Sequence, residues 1–145
     1  MPDIFFLMLM MVAGVTVAMQ PLINASLATR VGLIQSSFVS FAVGTAVLAV
    51  VSLFYGHGNL RALPEAAPWQ LSGGLLGAFF VTSIIFAAPR IGTLAALSAA
   101  IATQLAAGAV LDHFGLLGGR HIPLDAWRVS GIALLFTGAA FVLKG

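Results

Sequence analysis

The sequence predicts an all-α integral membrane protein, a bundle of five membrane-spanning helices in a single membrane domain over residues 1–145. The first indication is the composition of the chain. Hydrophobic residues make up 61% of it and charged residues only 7%, whereas soluble domains carry roughly a quarter charged residues. Six Lys and Arg with four Asp and Glu cannot cover the surface of a soluble fold. Because Cys is also absent, the composition excludes a soluble domain, a disordered chain, a disulfide scaffold and a nucleic-acid binder.

The second indication is the length of the apolar stretches. A helix that crosses the hydrocarbon core of a bilayer needs about 20 mainly apolar residues. Five stretches of that order occur, over residues 4–27, 35–55, 69–88, 91–111 and 127–143. None of them alternates apolar and polar residues with a period of two, so the pattern favours helices over strands.

Each break between the predicted helices has a chemical cause. The segment from Thr29 to Gly32 ends the first span, and a run rich in Gly and Pro separates the second from the third. Pro89 and Arg90 predict a tight corner before the fourth span, and residues 112–125 form the last loop. The first span has no Lys or Arg before Arg30, so we expect a retained helix rather than a cleaved signal peptide.

The positive charges of the loops predict an unusual orientation. Lys and Arg in short loops mark the cytoplasmic side of a membrane protein. Three fall on each side here, namely Arg61, Arg120 and Arg128 against Arg30, Arg90 and Lys144. Either one charge is misplaced or overridden by another insertion cue, or the protein has dual topology and pairs as an antiparallel homodimer. With an odd number of spans, one chain is then half of an inverted-repeat transporter.

Polar side chains within the first two spans are candidates for solute contact, because such residues are costly in lipid and usually face a bundle interior. Gln20 and Asn24 are four residues apart and therefore share one face of the first helix. Pro21 predicts a kink beside them, since it removes a backbone N–H and clashes with the preceding turn. The second span adds Ser40. We predict substrate contact for these amides and the hydroxyl, with hydrogen bonds that hold helices together as the alternative.

The fourth span predicts a second polar surface. One face carries residues at strict spacings of four, namely Ala96, Ala100, Gln104, Gly108 and Asp112. This spacing predicts a groove with small sides, one amide and an acid at its end. Gln104 is therefore a further candidate for substrate binding. Asp112 and the adjacent His113 are candidates for ion coupling or gating, and the alternative is a structural role in ordering the loop.

Other kinds of site are not expected. No Asp, Glu, Lys or His lies near the middle of any span, so a proton-coupled carboxylate at the bilayer midplane is missing. His57, His113 and His121 lie in or beside loops and the chain has no Cys, so we predict no metal site and no cofactor. Neither a phosphate-binding glycine loop nor a serine nucleophile motif occurs, and the sequence does not indicate an enzyme.

Four segments carry a resemblance to a known family. They are residues 20–27 (QPLINASL), 37–44 (SFVSFAVG), 89–92 (PRIG) and 104–115, which begins QL and ends DHFG. They resemble the YdcZ-type family, a five-span branch of the drug/metabolite transporter superfamily related to the small multidrug resistance proteins. The resemblance covers essentially the whole chain. It implies antiparallel dimers, built from one chain of dual topology or from paired chains of opposite topology.

The resemblance also limits the expected transport chemistry. The first helix lacks the Glu on which small multidrug resistance proteins depend, and Gln20 and Asn24 occupy that helix instead. Proton-coupled export of cationic drugs is therefore not expected. Uncharged amides are better suited to a neutral or zwitterionic small molecule, or to an anion, than to a bare cation.

Together these observations predict a secondary transporter of the bacterial inner membrane. It would move a small metabolite or drug-like molecule by alternating access, through a site enclosed by both chains of the dimer. Membrane lipid, a second copy of the chain and the small-molecule substrate are the expected partners, and nucleic acid is not. A passive ion channel of dual topology and an accessory membrane subunit without its own pathway are the alternatives.

Overall fold

The computed structural model describes residues 4–144. Five long helices account for most of this segment: α1 Ile4–Val31, α2 Leu33–Tyr55, α3 Gly73–Ile91, α4 Thr93–Phe114 and α5 Ala126–Lys144. Short 3-10 helices occupy Leu60–Glu65, Pro68–Leu71 and Leu116–Gly118, and the described residues contain no strand. Five helical stretches are long and apolar enough to cross a membrane. The predicted all-α membrane fold of five helices is confirmed.

Several predicted helix ends move by a few residues. The first helix runs on to Val31 and the second already begins at Leu33. Trp69 lies in a 3-10 helix that precedes α3, which itself begins at Gly73. The sequence from Asp112 to Phe114 forms the last turn of α4 rather than the beginning of a loop. Hydropathy alone placed these ends too early or too late because polar residues are tolerated in the terminal turns of a membrane helix.

The predicted corner at Pro89 and Arg90 is wrong. Both residues lie inside α3, and the chain turns instead at Gly92, with φ 84° and ψ 146°. Gly32 between α1 and α2 has nearly the same conformation, with φ 94° and ψ 158°. This region of backbone space is open essentially to glycine alone. Each single glycine therefore joins two successive helices with no other linking residue.

The described residues divide after Arg90 into two compact units. In the first unit, α1 and α2 pack against each other, and Pro21 is fully buried. The Phe41 side chain of α2 reaches α3 at Gly77, where an added Cβ would lie 3.4 Å from Cζ of Phe41. Arg90 folds back along α3, donates a hydrogen bond to the carbonyl of Phe86 and lies over its ring.

The second unit is a pair of helices, α4 and α5, that pack along each other. Asp125 begins α5, since its carboxylate accepts a hydrogen bond from the backbone N–H of Arg128 at 2.8 Å. An aspartate in this position satisfies one of the unpaired N–H groups at a helix start. The loop before it is tied to the end of α4 by a hydrogen bond from the N–H of Ile122 to the carbonyl of Asp112 at 2.8 Å.

Candidate functional site

A set of polar side chains ties the helices of the first unit together. We call it the polar cluster; its members are Asn24, Ser36, Ser37, Ser40 and Thr82. Asn24 donates from Nδ2 to Oγ of Ser40 at 3.2 Å, and Ser36 donates to the backbone carbonyl of Asn24 at 2.7 Å. Thr82 of α3 donates to Oγ of Ser37 at 3.0 Å. The cluster therefore joins α1 to α2 and α2 to α3.

Three members of the polar cluster are buried, and each of them forms hydrogen bonds within the protein. Ser36 has 0% of its surface exposed, and Asn24 and Ser37 each have 6%. Within residues 4–144 no buried side-chain nitrogen or oxygen lacks a hydrogen-bond partner. The hydroxyl protons of Ser36 and Ser37 and one Nδ2 proton of Asn24 are thus used within the protein. This geometry favours the packing alternative for Asn24, and Ser36 and Ser37 likewise bond between or along the helices.

Gln20 has a different environment from Asn24, although both lie on the same face of α1. It is half-buried and lines a pocket of about 230 Å³. The pocket is lined by Gln20, Ser40, Phe41, Gly44, Thr45 and Leu48. In the described part of the chain the Gln20 side chain forms no hydrogen bond. Of the predicted solute contacts in the first two spans, the Gln20 amide and the Ser40 hydroxyl are therefore the groups that reach this pocket.

The predicted groove on α4 is completed by α5. A pocket of about 350 Å³ is lined by Gln104, Leu105, Gly108, Ala109, Asp112, Arg128, Gly131, Ile132 and Leu135. A second pocket of about 590 Å³ continues along the same helix pair, lined by Ser98, Ile101, Ala102, Gly131, Leu134, Leu135, Gly138, Ala139 and Val142. The two share Gly131 and Leu135. We call the continuous surface the α4–α5 groove.

An ion pair closes one end of the α4–α5 groove. The carboxylate of Asp112 lies 3.7 Å from the guanidinium of Arg128, with both side chains close to half exposed. Asp112 is in the last turn of α4 and Arg128 in the first turn of α5, so each charge opposes the dipole of its own helix by about 0.3–1 kcal/mol. An exposed pair contributes only about 0–1 kcal/mol. Helix stability therefore does not account for this arrangement.

His113 is held by the loop that follows α4. Its Nδ1 accepts a hydrogen bond from the backbone N–H of Leu124 at 3.0 Å. Its ring meets that of Phe114 edge to face, with 4.8 Å between the ring centroids. These contacts support the structural alternative for His113, while coupling or gating by Asp112 and His113 stays a prediction.

The structure brings together only part of the predicted site. Ser40 connects the Asn24 amide with the Gln20 pocket, whereas Gln104 and Asp112 lie in the second unit. Sequence reasoning missed Arg128 and Thr82. Both are partners from another helix, and spacing rules connect residues only within one helix. The described residues contain no group of three metal-binding side chains.

Comparisons with known proteins agree with this architecture. The family model described as "Putative inner membrane exporter, YdcZ" matches residues 5–141. Inner membrane protein YdcZ of Escherichia coli (strain K12) is 29% identical over 116 residues, which cover 79% of this chain and 74% of that protein. No solved structure matches the chain significantly.

These matches place the protein in a class of membrane transporters. The name of the family points to a role in transport rather than in enzymatic catalysis. The five apolar helices and the inner-membrane relative identify a multi-pass protein of the bacterial inner membrane. Since the family model covers nearly the whole chain, the chain belongs to the YdcZ family of inner-membrane proteins.

Proposed function

We propose that the protein is a secondary transporter that moves a small neutral or zwitterionic molecule by alternating access within an antiparallel homodimer. The Gln20 pocket is the observation that carries this proposal. Its polar groups are an amide and hydroxyls, and none of its lining residues is charged. Uncharged donors and acceptors in a low-dielectric site suit a molecule without net charge, because a lone ion there lacks the partner that offsets its desolvation.

The equal division of positive charges supports the antiparallel dimer. Arg30 and Arg90 lie at the ends of α1 and α3, and Lys144 at the end of α5, on the opposite side of the predicted membrane from Arg61, Arg120 and Arg128. Two Lys residues added after Gly145 should retain that end in the cytoplasm, and two added near Asp3 should do the opposite. Terminal reporter fusions measure this. A single orientation that resists both additions would contradict dual topology.

Transport itself is tested in two steps. First, a panel of amino acids, glycine betaine, neutral sugars and ethidium is screened for thermal stabilisation of the purified protein, because a ligand that binds only the folded state raises its melting temperature. Stabilisation by the neutral or zwitterionic compounds and not by ethidium is expected. Stabilisation by ethidium alone would contradict the proposed substrate class.

Second, the stabilising compound is followed into proteoliposomes. Saturable uptake that is accelerated by unlabelled compound on the other side of the membrane is expected for a carrier. Flux that follows the electrochemical gradient without saturation would identify a channel instead. Absence of flux in spite of binding would favour an accessory subunit.

A further inference from the structure

The α4–α5 groove combines a charged end with a long apolar surface. At one end lie the carboxylate of Asp112 and the guanidinium of Arg128. The rest of the surface is aliphatic, apart from Gln104 and Ser98, and Ile101, Leu134 and Leu135 stay exposed. A hydrophilic solute would leave this apolar part uncovered. An amphiphile with a charged head and a hydrocarbon tail fits both parts.

The length of the groove along α5 matches that of an acyl chain in one membrane leaflet. Arg128 is adjacent to Trp127, which is 88% exposed at the start of α5, and exposed Trp residues at span ends lie at headgroup level. Gly138 follows Arg128 by ten residues, or about 15 Å of helix. That distance is half of the roughly 30 Å hydrocarbon core of a bilayer. The groove thus extends from the headgroups to the middle of the bilayer.

The charges select the kind of headgroup. A guanidinium binds a phosphate through paired hydrogen bonds, and a carboxylate accepts bonds from an ammonium group. The Asp112–Arg128 separation of 3.7 Å is longer than the roughly 2.7–2.9 Å of a tight charge-assisted hydrogen bond. Both groups are also accessible, so each retains capacity for a ligand. A headgroup that carries both a phosphate and an ammonium complements both of them.

We infer that the α4–α5 groove is a binding site for phosphatidylethanolamine, with the phosphate on Arg128, the ammonium on Asp112 and one acyl chain along Gly131 and Gly138. The site is separate from the Gln20 pocket and does not depend on the proposed transport. Gly131 and Gly138 line the groove without a side chain. A Cβ added at either position would meet nothing within 4 Å. Larger side chains there would occupy the place of the acyl chain without a clash.

Native mass spectrometry of the full chain in detergent tests the site with defined lipids. Dioleoyl phosphatidylethanolamine should bind with one lipid per chain. Dioleoyl phosphatidylglycerol, which has the phosphate but no ammonium, should bind about tenfold more weakly through loss of one charged hydrogen bond. Arg128→Gln should weaken phosphatidylethanolamine binding by about the same factor. Arg120→Gln is the matched control, because Arg120 is in the neighbouring loop and does not line the groove.

Two variants test the path of the tail. Gly131→Leu should abolish lipid binding, since it fills the groove just beyond the headgroup. Gly138→Leu should weaken the dioleoyl lipid but spare the shorter dilauroyl lipid, because it blocks only the far end. Gly14→Leu is the control, as an added Cβ at Gly14 of α1 also meets nothing within 4 Å.

Four results would overturn the inference. Equal binding of phosphatidylglycerol and phosphatidylethanolamine would show that Asp112 does not bind the ammonium group. Unchanged binding in Gly131→Leu would place the lipid elsewhere. Free glycerophosphoethanolamine that binds as tightly as the lipid would identify a polar-solute site. A loss of oligomeric mass in Gly131→Leu would show that a second copy of the chain covers the groove.

Discussion

The polar cluster of the first unit and the α4–α5 groove of the second use similar residue types in opposite ways. Asn24 and Ser36 are buried and bonded to neighbouring helices. Gln104, by contrast, is exposed, and Asp112 and Arg128 form a loose, half-exposed pair. A polar residue in a membrane helix holds helices together when its hydrogen bonds are made within the protein. It is available to a ligand when they are not.

The same contrast separates Gln20 from Asn24, although only one helical turn lies between them. Asn24 donates to Ser40, and its carbonyl accepts from Ser36. Gln20 lies in the pocket and forms no side-chain hydrogen bond among the described residues. Two residues on the same face of a helix therefore need not share a role. Five substitutions test this division, and the largest effect is expected in the cluster.

Ser36→Leu should give the largest loss of stability. The side chain has no exposed surface, so a larger one overpacks the site at a cost of about 1–3 kcal/mol, and the bond to the Asn24 carbonyl is lost as well. The exposed Ser130 of α5 offers a matched control, and Ser130→Leu should be nearly neutral. Thermal unfolding in detergent measures both. Equal melting temperatures for the two variants would contradict the distinction between the units.

Asn24→Ala should have the next largest effect. Loss of its bond to Ser40 should lower the stability of the ligand-free protein by roughly 0.6–2 kcal/mol, the range of hydrogen bonds between membrane helices. Gln20→Ala should leave ligand-free stability near that of the parent but reduce the stabilisation by the transported compound. If instead Gln20→Ala destabilises the protein and Asn24→Ala only weakens binding, the two roles must be exchanged.

The sequence predicted the membrane-spanning helices better than the turns and side-chain contacts that connect them. The five spans follow directly from hydropathy, which depends only on neighbouring residues in the chain. The break between α1 and α2 was predicted within the segment from Thr29 to Gly32 and lies at Gly32, whereas the turn at Gly92 was not predicted. A glycine permits a positive φ without requiring it, so the sequence did not show which glycine makes the turn. The pairing of Asn24 with Ser36 and Ser40 depends on the register that the Gly32 turn gives to α1 and α2.

The ion pair of the groove illustrates a second limit. Asp112 and Arg128 are separated by a loop whose path no helical period describes, so the periodicity of α4 revealed the acid but not its partner. That path is set by local bonds, such as the one from Leu124 to His113. Residue spacing therefore predicted the polar faces of α1 and α4, but not the side chains of other helices that bond to them.

Asp112→Asn should change stability less than the cluster variants do. The pair is close to half exposed, and such pairs contribute about 0–1 kcal/mol. Removal of the negative charge also relieves its repulsion with the end of α4. The two effects oppose each other, so we expect a net change below about 1 kcal/mol in unfolding experiments without lipid. A loss as large as that of Ser36→Leu would show that the pair is a structural element.

Gln104→Ala should have the smallest effect on stability, within about 0.5 kcal/mol, as for exposed substitutions in general. The side chain is exposed, lines the groove and forms no hydrogen bond in the described part of the chain. If its amide contacts the transported compound, its loss should lower binding about two- to tenfold, the equivalent of one hydrogen bond. Gln35→Ala provides the control, since Gln35 is an exposed amide that lines neither pocket. Binding and counterflow that match the control would exclude Gln104 from the solute path and leave Gln20 as the remaining amide candidate.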